Sequence, residues 1–486
     1  MRTLIQEMPG ALSPETLAQR LVGQPGLVLL RCGQPPQAWG RYTLVAAQPF
    51  LVFRCWGSRC ELAAGDRQWA LFGDPWQVLD RWLARYELLK ELDVPFPLGG
   101  AIGYWGYDLK NFVEPRLSRW AINDLELPDC QLGFYSSVVA FDHKLGKTWV
   151  IATGLDASGD RSQSQAQQAV DWWRAQLESS VTHPEPDAEL SRVGSAGDCP
   201  GMVTSTMSQA EFVEAVRRAL AYIRQGHIYQ VNLSHRLSAA WHLGGWRLYE
   251  RLAAVSPAPC AAYLDYGAWQ LVSSSPELFL CLTDRHIITR PIKGTRPRGI
   301  DPQQDQQLSA QLLASAKERA ELVMITDLLR NDLGRVCEYG SVQVPELVRL
   351  ERYAQVQHLV STVQGWLRPG VTHLEALRAC FPGGSVTGAP KVRAMEIIDE
   401  LELTARGPYT GALGYLGFNR NSQLSIIIRT ALCLEQATYF HVGAGIVADS
   451  VPEAEYDETL SKAAGFIAAL SMRPEPVEVA KAGPAG

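Results

Sequence analysis

The strongest constraint on the fold is a run of apolar segments at 410–448. TGALGYLGF, QLSIIIRTALCL and TYFHVGAGIVA are separated only by the short connections NRNS and EQA. Segments of this length that are rich in β-branched and aromatic residues and joined by short turns predict three antiparallel strands. Long helical patterns flank the run, at 301–332, 390–402 and 452–470. Strand runs with appended helices predict an α+β fold with a large antiparallel sheet rather than regular βαβ winding.

A second segment resembles the first strand of this run. GAIGYWGYDLK at 100–110 parallels GALGYLGFNRN at 411–421, and both are glycine-spaced aromatic strands that end in turn residues. A duplicated β-element would produce this likeness, and so would two hairpins that meet the same packing demand. The sequence leaves both explanations open.

Composition marks the candidate boundaries. The segment at 179–201, SSVTHPEPDAELSRVGSAGDCPG, follows a helical pattern and is rich in Ser, Pro, Gly and Asp, which predicts a linker or a long surface loop. The last residues, MRPEPVEVAKAGPAG, predict a frayed tail. We therefore divide the chain into an N-terminal region at 1–200 that ends in the linker, a chemically dense region at 201–472 and a flexible tail at 473–486.

Charge and cysteine usage exclude several classes of protein. A net charge of −6 and a pI near 5.9 argue against nucleic acid or an anionic membrane as the main partner. The start, MRTLIQEMPG, has no signal-peptide pattern, and no apolar run approaches the roughly 18 residues of a spanning helix. The ten cysteines are scattered and show no zinc-binding spacing. These features predict a cytoplasmic protein whose thiols are mostly small buried hydrophobes.

Two predicted helices carry acidic faces. Glu318 and Glu321 are spaced i, i+3, and Glu455, Glu458 and Lys462 are spaced i, i+3 and i+7, so each set shares one face. One such pair is usually a solvated charged stripe. Two Glu-x-x-Glu faces favour a convergent oxygen-ligand site of the kind that suits Mg²⁺, which takes one or two carboxylates and leaves its remaining positions to water and an anionic substrate. Spacing alone does not decide between these interpretations.

The segment RPIKGTRPRG at 290–299 concentrates four cations in a chain of negative net charge. Lys293 lies in its middle, directly before a glycine. It has three interpretations: a cation on a surface turn, a clamp for a carboxylate, or an amine nucleophile, which must be neutral to react. Composition cannot choose among them.

The segment FPGGSVTGAPKVRAMEIIDELE at 381–402 is a Gly/Thr/Pro loop that runs into a helix. Its backbone N–H groups, with Lys391 close by, would cradle an anion. A helix start with tight turns explains the pattern equally well. It is not a P-loop, because no Lys-Ser or Lys-Thr follows at the required offset.

The segment GAGIVA at 443–448 formally matches a dinucleotide-binding fingerprint. No helix begins inside it and no βαβ unit surrounds it, so we reject that interpretation. A glycine pair at a strand end that lets a ligand approach closely is favoured.

Three isolated polar residues lie beside apolar strands. Arg429 follows the run SerIleIleIle, so it is expected to be paired or to face a ligand. For His358 in VQHLVST, a core histidine whose hydrogen bonds are satisfied within the protein is as much favoured as a histidine that faces a ligand. Glu277 in VSSSPELFL is more simply a turn residue.

Taken together, these segments resemble the chorismate-utilising enzymes, the family that contains anthranilate, isochorismate, salicylate and aminodeoxychorismate synthases. The matching segments occur in family order across about 204–470: IYQVNLSHR, SSSPELFL, TRPIKGTRPRG, AKERAELVMITDLLRNDLGRV, VQHLVSTV, FPGGSVTGAPKVRAMEIIDELE, GALGYLGF, SIIIRTA and GAGIVADSVPEAEYDETLSKA. The N-terminal half matches more loosely, through GRYTLVAAQP and GGAIGYWGYD. The resemblance implies an α+β fold, a large two-sheet antiparallel β-sandwich built from both halves of the chain with helices packed on the outside.

The resemblance also implies roles for the residues above. Glu321 and Glu458 would bind Mg²⁺, with Glu318 and Glu455 beside them, directly or through water, and the metal would hold one carboxylate of chorismate. Backbone amides and cations would contact the two carboxylates of chorismate, at Gly294, Thr295, Tyr409, Arg429, Gly445 and Lys462. His358 would lie near the reacting ring.

Two positions indicate which branch of the family the chain resembles. Isochorismate and salicylate synthases carry a water-activating lysine at the position of Gln230, which argues against water as the nucleophile here. Anthranilate synthases usually carry alanine at the position of Lys293. The PIKGT form is similar to aminodeoxychorismate synthases, in which this lysine is the covalent nucleophile.

The resemblance then implies a transferase reaction. Lys293 attacks C2 of chorismate while Glu277, as general acid, protonates the departing C4 hydroxyl; ammonia adds at C4 and expels the lysine, giving 4-amino-4-deoxychorismate for 4-aminobenzoate and folate synthesis. Since no segment of the chain resembles an amidotransferase, a separate glutamine amidotransferase subunit is expected to supply the ammonia. The alternatives are anthranilate synthase component I and a non-catalytic chorismate-binding homologue.

Overall fold

The computed structural model describes most of the chain, at residues 2–10, 12–31, 40–89, 91–178, 203–353 and 356–471. The predicted linker at 179–201 and the predicted tail at 473–486 lie outside the described residues, so the boundaries drawn there stay predictions. No helix of the described part is long and apolar enough to cross a membrane. Eight of the ten cysteines lie in this part of the chain, and no two of these eight are joined by a disulfide.

Strands dominate both halves of the described chain. The N-terminal half contributes β1 (Leu4–Glu7), β2 (Val28–Arg31), β3 (Tyr42–Ala46), β4 (Leu51–Trp56), β5 (Arg59–Ala64), β6 (Arg67–Phe72), β7 (Gly100–Trp105), β8 (Cys130–Tyr135), β9 (Ser137–Asp142) and β10 (Lys147–Ala152). The C-terminal half contributes β11 (Thr204–Ser205), β12 (Gln230–Ala240), β13 (Cys260–Asp265), β14 (Trp269–Ser275), β15 (Leu278–Thr283), β16 (His286–Arg290), β17 (Ile292–Pro297), β18 (Gln343–Arg352), β19 (Val356–Trp366), β20 (Gly388–Ala389), β21 (Ala412–Gly417), β22 (Asn421–Ile426), β23 (Thr430–Leu434) and β24 (Ala437–Ile446).

The α-helices connect and cover these strands. They are α1 (Pro14–Arg20), α2 (Pro75–Leu83), α3 (Lys110–Val113), α4 (Gln163–Glu178), α5 (Gln209–Arg224), α6 (Gly244–Val255), α7 (Pro302–Ala314), α8 (Ala316–Gly334), α9 (His373–Cys380), α10 (Lys391–Leu401) and α11 (Pro452–Ser471). The single helical pattern at 301–332 is two helices, because Ser315 is extended and its side chain caps α8 by accepting a hydrogen bond from the Glu318 amide. The break places Glu318 in the first turn of α8.

The strands form two antiparallel sheets, each of twelve strands within the described residues. Sheet I has the order β1-β10-β9-β3-β2-β13-β14-β23-β24-β12-β11, with β20 beside β12. Sheet II has the order β17-β19-β16-β15-β22-β21-β7-β8-β4-β5-β6, with β18 beside β19. Both sheets therefore combine strands from the two halves of the chain.

Alternate residues of sheet I belong to two different cores. Val28 and Leu30 of β2 lie in a core shared with Phe53 and Leu132 of sheet II, whereas Leu29 between them lies in a core with helices α1, α4, α6 and α11. This period-two alternation places a sheet-on-sheet core on one side and helices on the other. The predicted α+β two-sheet sandwich with outer helices is confirmed.

The two similar segments noted in the sequence are neighbouring strands. β7 pairs with β21 in sheet II so that Gly103 lies opposite Gly414. A β-carbon added at Gly103 would clash with the carbonyl oxygen of Gln131, and one at Gly414 with that of Gln423. Each half also begins in sheet I, continues into sheet II and ends with its last two strands in sheet I, although in the C-terminal half the short strand β20 pairs in sheet I before β21 and β22. These equivalences support a duplicated β-element over two unrelated hairpins.

The run at 410–448 contains four strands, so the prediction of three is wrong. Its middle segment is divided into β22, which ends at Ile426 in sheet II, and β23, which begins at Thr430 in sheet I. Arg429 lies in the connection with φ 51°. Because both strands are buried, the apolar pattern runs on without marking the point where the chain passes from one sheet to the other.

Candidate active site

Lys293 lies where β17 leaves its regular pairing with β19. Both Lys293 and Thr295 pair with β19, and Gly294 between them is an extra residue in the ladder with φ 67°. This is a β-bulge in which the positive φ favours glycine. A β-carbon at Gly294 would also come within 3.0 Å of Oε2 of Glu318 on α8. The bulge therefore requires glycine and brings the lysine segment against the acidic helix.

The amine of Lys293 reaches across to sheet I. Its Nζ lies 3.8 Å from the position that a β-carbon on Gly445 of β24 would take, and Nε2 of Gln230 lies 2.7 Å from the same position. Gln230 is only 1% exposed, and its Oε1 has no hydrogen-bond partner among the described residues. Leaving a buried acceptor unpaired costs about 1–3 kcal/mol. Such an acceptor beside an amine is typical of a site that binds a polar ligand.

Glu277 lies in the short connection between β14 and β15, as the turn interpretation has it, but its carboxyl is buried and the residue is only 6% exposed. Its Oε1 accepts a 2.6 Å hydrogen bond from Oγ of Ser385. Burial raises the pKa of Glu277 to about 7, although the Ser385 hydrogen bond and the charge of Lys293 both lower it. A buried carboxyl whose pKa is raised in this way is available as a proton donor near neutral pH, which suits a general acid.

The two acidic faces come from helices on different sheets. Glu318 and Glu321 lie on α8, which packs against β17 and β19 of sheet II, and Glu455 and Glu458 lie on α11, which packs against β24 of sheet I. Burial raises the pKa of Glu321, and the charges of Glu318 and Glu458 raise it further. The charge of a carboxylate on α11 therefore acts on a carboxylate of α8, and a shared oxygen-ligand site formed by the two faces stays a prediction.

The residues of this acidic region fit a hard divalent cation. Among the described residues, no three His, Cys, Asp or Glu side chains are close enough to one another to hold a metal ion. Mg²⁺ needs only one or two direct carboxylates when water and substrate complete its octahedron. The repulsion between Glu321 and Glu458 is what such an ion would relieve. Which of the four predicted carboxylates bind it directly stays a prediction.

Lys462 and Arg429 are linked beside these carboxylates. Nζ of Lys462 donates to Glu458 at 2.7 Å and to the carbonyl oxygen of Gly443 at 2.7 Å. Nη1 of Arg429 donates to the carbonyl oxygen of Lys462 at 3.0 Å. Burial lowers the pKa of both cations. The structure therefore brings two predicted anion contacts together at one edge of β24, and Arg429 is paired as expected.

Tyr409 borders the glycines of β24. Its buried ring stacks on His441, with centroids 4.9 Å apart and planes 12° apart. Its hydroxyl oxygen lies 2.9 Å from the position that a β-carbon on Gly443 would take. Gly443 and Gly445 are alternate residues of one strand and so face the same side. Because these two residues have no side chains, space is left beside β24, and Tyr409 and Lys293 point into it. This space supports the interpretation that the glycine pair lets a ligand approach the strand closely.

His358 is buried on β19 and pairs across the bulge. Its Nδ1 lies 2.9 Å from Oγ1 of Thr295 in a hydrogen bond. Burial lowers the pKa of His358 to about 4, although a hydrogen bond to the backbone of Gly294 opposes this shift. The ring is therefore neutral at pH 7 and contributes hydrogen bonds rather than charge beside the lysine segment.

The loop at 381–390 does not use Lys391 to bind an anion. Nζ of Lys391 donates to Asp332 at 2.6 Å and to the carbonyl oxygen of Cys380 at 3.0 Å, so this cation is already paired. The loop instead delivers Ser385 to Glu277. Sequence reasoning missed this contact; the Gly-Gly-Ser triplet is the signal that could have indicated a tightly packed turn.

Arg406 is a second residue that sequence reasoning missed. Its buried guanidinium pairs with Glu402 at 2.7 Å, and it donates to the carbonyl oxygens of Val386 at 3.0 Å and Asn232 at 2.7 Å. It therefore ties the Ser385 loop to β12 behind the site. Glu402 and Arg406 are spaced i, i+4, and the sequence around them does not distinguish this buried pair from an exposed ion pair on a helix surface.

The amine of Lys293 and the buried carboxyl of Glu277 lie in one region with acidic and basic groups carried by both sheets. The chain belongs to the family of chorismate binding enzymes, whose sequence profile matches residues 37–468. That match extends over both halves of the sandwich and includes all of the predicted site residues.

Relatives with two different names are equally similar to this chain. It is 36% identical over 470 residues to anthranilate synthase component 1 of Acetivibrio thermocellus, covering 94% of this chain and 92% of that protein. It is also 36% identical over 440 residues to aminodeoxychorismate synthase component 1 of Bacillus subtilis strain 168, covering 90% and 91%. The crystal structure of anthranilate synthase component I from Streptococcus pneumoniae matches with a TM-score of 0.73 at 30% identity, covering 88% of this chain and 92% of that one. Overall sequence identity thus assigns the family and the fold. It does not distinguish between the two reactions, so that choice depends on the residues of the site.

Proposed function

We propose that this chain is the chorismate-converting component of an aminodeoxychorismate synthase. The observation that carries the proposal is the position of Lys293, whose amine lies beside Gly445 and whose charge acts on the Glu277 carboxyl. By the family resemblance, this lysine is the nucleophile of aminodeoxychorismate synthases, and anthranilate synthases usually carry alanine there. Gln230 replaces the water-activating lysine of isochorismate synthases, which supports an amine as the attacking group.

The proposed reaction has two allylic displacements. The nitrogen lone pair of Lys293 attacks C2 of chorismate, the ring double bond shifts, and the C4 hydroxyl leaves as water after taking a proton from Glu277. Ammonia then adds at C4, the double bond shifts back, and the Lys293 amine is expelled, giving 4-amino-4-deoxychorismate. A covalent intermediate replaces one difficult substitution with two easier ones. A carboxyl with a pKa of about 7 can both hold and release a proton under these conditions.

Charged groups around the site would hold the substrate dianion. Glu321 and Glu458, with Glu318 and Glu455 beside them, would bind Mg²⁺, which when bound neutralises and orients one substrate carboxylate. Cations, polar side chains and backbone amides would contact the substrate carboxylates, at Gly294, Thr295, Tyr409, Arg429, Gly445 and Lys462. The neutral ring of His358 would lie beside the reacting ring.

The ammonia would come from a separate glutamine amidotransferase subunit. Relatives of both names are component 1 proteins, which supports a second component for this chain. The product would supply 4-aminobenzoate and folate synthesis in the cytoplasm. Free ammonia would replace the partner in vitro, so the reaction can be tested with this chain alone.

The test is an assay coupled to the lyase that makes 4-aminobenzoate. The protein is incubated with chorismate, Mg²⁺ and an ammonium salt, with a control that lacks ammonium, and 4-aminobenzoate is the expected product. Anthranilate without 4-aminobenzoate would instead assign the second candidate, anthranilate synthase component I, which the relative from Acetivibrio thermocellus favours. Chorismate binding without any turnover would indicate a non-catalytic homologue.

A further inference from the structure

Ser385 makes an asymmetric contact with the Glu277 carboxyl. Its Oγ donates to Oε1 at 2.6 Å, and within the described part of the chain Oε2 accepts no hydrogen bond. Lys293 is the charged group that acts on this carboxyl there. One carboxyl oxygen is therefore fixed by a neutral donor, and the other accepts no hydrogen bond from the described residues.

The position of Ser385 is built into its loop by two glycines. A β-carbon at Gly384 would lie 2.5 Å from Cδ2 of Leu328 on α8, and one at Gly383 would lie 2.6 Å from Cδ1 of Ile426 on β22. Only residues without side chains let the turn fit between this helix and this strand. The Gly-Gly pair thus permits the close packing that brings the next residue, Ser385, to the Glu277 carboxyl.

The turn is also held from behind. Arg406 donates to the carbonyl oxygen of Val386 at 3.0 Å, and Oγ1 of Thr387 donates to the carbonyl oxygen of Gly383 at 3.0 Å. These bonds fix the residues on both sides of Ser385. Its hydroxyl is therefore a preorganised donor, the kind of group that stabilises charge with little rearrangement during reaction.

We infer that Ser385 is the positioning residue of the general acid: its hydroxyl binds Oε1, leaves the transferable proton on Oε2, and stabilises the carboxylate that remains after proton transfer. The inference rests on the proposed role of Glu277 in the chorismate reaction. It adds to that role an assignment of which oxygen carries the proton and which residue accommodates the resulting charge.

The proton balance closes with Glu277 alone. The Oε2–H bond breaks as its proton moves to the C4 hydroxyl oxygen, and the C4–O bond breaks with its electron pair on oxygen, so water leaves. The Ser385 hydrogen bond strengthens at this step because its acceptor becomes an anion. When ammonia adds at C4, the new C–N nitrogen is positively charged, and Oε2 takes one of its protons. Glu277 is thereby reprotonated and Lys293 departs as a neutral amine.

The test compares Ser385→Ala and Ser385→Thr with the wild type. With free ammonia held constant, kcat and the KM for chorismate are measured from about pH 5 to about pH 9. Because the Ser385 hydrogen bond lowers the pKa of Glu277, its removal is expected to move the alkaline limb of kcat to higher pH. We expect kcat to fall about tenfold or more, with the KM for chorismate within about twofold of wild type. Ser385→Thr keeps the hydroxyl, so its kcat and the pH of its alkaline limb should both be close to those of the wild type.

Thr153→Val is the matched control, because it deletes a buried hydroxyl that donates to the carbonyl oxygen of Ser136 and lies outside the turn that holds Ser385. The alkaline limb of its kcat is expected at the same pH as in the wild type, even if the variant is less stable. An unshifted limb in Ser385→Ala, or an equal shift in Thr153→Val, would overturn the inference.

An infrared titration of the protonated carboxyl, assigned with Glu277→Gln, separates this inference from the proposed function. It should show a higher Glu277 pKa in Ser385→Ala without any substrate present. If the wild type forms anthranilate, the proposed function fails, while the titration and the rate ratio still decide the role of Ser385. If the wild type turns over no chorismate, both fail.

Discussion

The amine of Lys293 lies against Gly445 although the two residues belong to different sheets. Nζ comes within 3.8 Å of the position that a β-carbon on Gly445 would take, so the contact runs from β17 in sheet II to β24 in sheet I. The candidate site is thus placed at the junction of the two sheets. Its acidic helices follow the same division, since α8 packs on sheet II and α11 on sheet I.

Gly445→Ala is predicted to obstruct the site without unfolding the protein. The added methyl would meet Nε2 of Gln230 at 2.7 Å and occupy the space beside Lys293. We expect the KM for chorismate to rise about tenfold or more, since overpacking a closed site costs about 1–3 kcal/mol. Steady-state kinetics and thermal denaturation measure the two effects. Gly334→Ala, where an added β-carbon meets nothing, is the control and should keep the wild-type KM; a wild-type KM in Gly445→Ala would contradict the placement of the substrate.

Glu277→Gln is predicted to inactivate the protein and to stabilise it in alkali. Burial raises the pKa of Glu277 from 4.5 to about 7. The folded state therefore holds this proton more tightly than the unfolded state, so the wild type loses stability as pH rises from about 4.5 to about 7. The glutamine variant avoids that loss and should be more stable by about 3 kcal/mol at about pH 8, with little advantage at about pH 4. Chemical denaturation at both pH values checks this; an advantage that does not depend on pH would exclude ionisation of Glu277 as its cause.

Chelation of the metal is predicted to stop turnover, and excess Mg²⁺ to restore it. Burial and the charges of Glu318 and Glu458 raise the pKa of Glu321, so Mg²⁺ affinity should fall as pH is lowered through that pKa. Glu321→Gln should weaken Mg²⁺ binding in the presence of chorismate about tenfold or more, as measured by calorimetry. Glu453→Gln is the control, because Glu453 is exposed and pairs with Arg217. Equal Mg²⁺ affinity in the two variants would argue against the acidic site.

Arg406→Met is predicted to destabilise the fold and loosen the Ser385 loop. It leaves buried Glu402 without its cationic partner, with the backbone N–H and hydroxyl of Ser234 still donating to it, and losing one member of a buried ion pair typically costs about 3–5 kcal/mol. The double variant Arg406→Met/Glu402→Met should recover part of this loss, because no unpaired charge remains. Thermal denaturation of the three proteins measures the coupling. A single variant as stable as the wild type would show that the buried pair contributes little.

The sequence predicts features of this site that depend on local spacing. Glu318 and Glu321 share a helical face because i, i+3 spacing fixes it, and the same holds for Glu455 and Glu458. The bulge at Gly294 is not predicted from spacing, although the four cations at 290–299 single out this segment. In each case the relevant geometry lies within a few residues of chain.

Features that depend on sheet packing were not predictable in the same way. The chain changes sheet next to Arg429, yet the apolar pattern is uninterrupted because the strands on both sides are buried. The sequence does not show that Lys391 is paired, because its partner, Asp332, is 59 residues away in sequence. Ser385 was overlooked for the same reason, since Glu277 precedes it by 108 residues. Such contacts are set by tertiary structure, and single-sequence patterns carry little information about them.

The most direct test of the account compares wild type with Lys293→Ala by mass spectrometry of the product, with chorismate, Mg²⁺ and an ammonium salt supplied. The wild type should form 4-amino-4-deoxychorismate, and the variant should still bind chorismate in the presence of Mg²⁺ but lose at least about a hundredfold in rate, because its covalent route is gone. Anthranilate from the wild type, or a near wild-type rate of 4-amino-4-deoxychorismate formation by Lys293→Ala, would contradict the account.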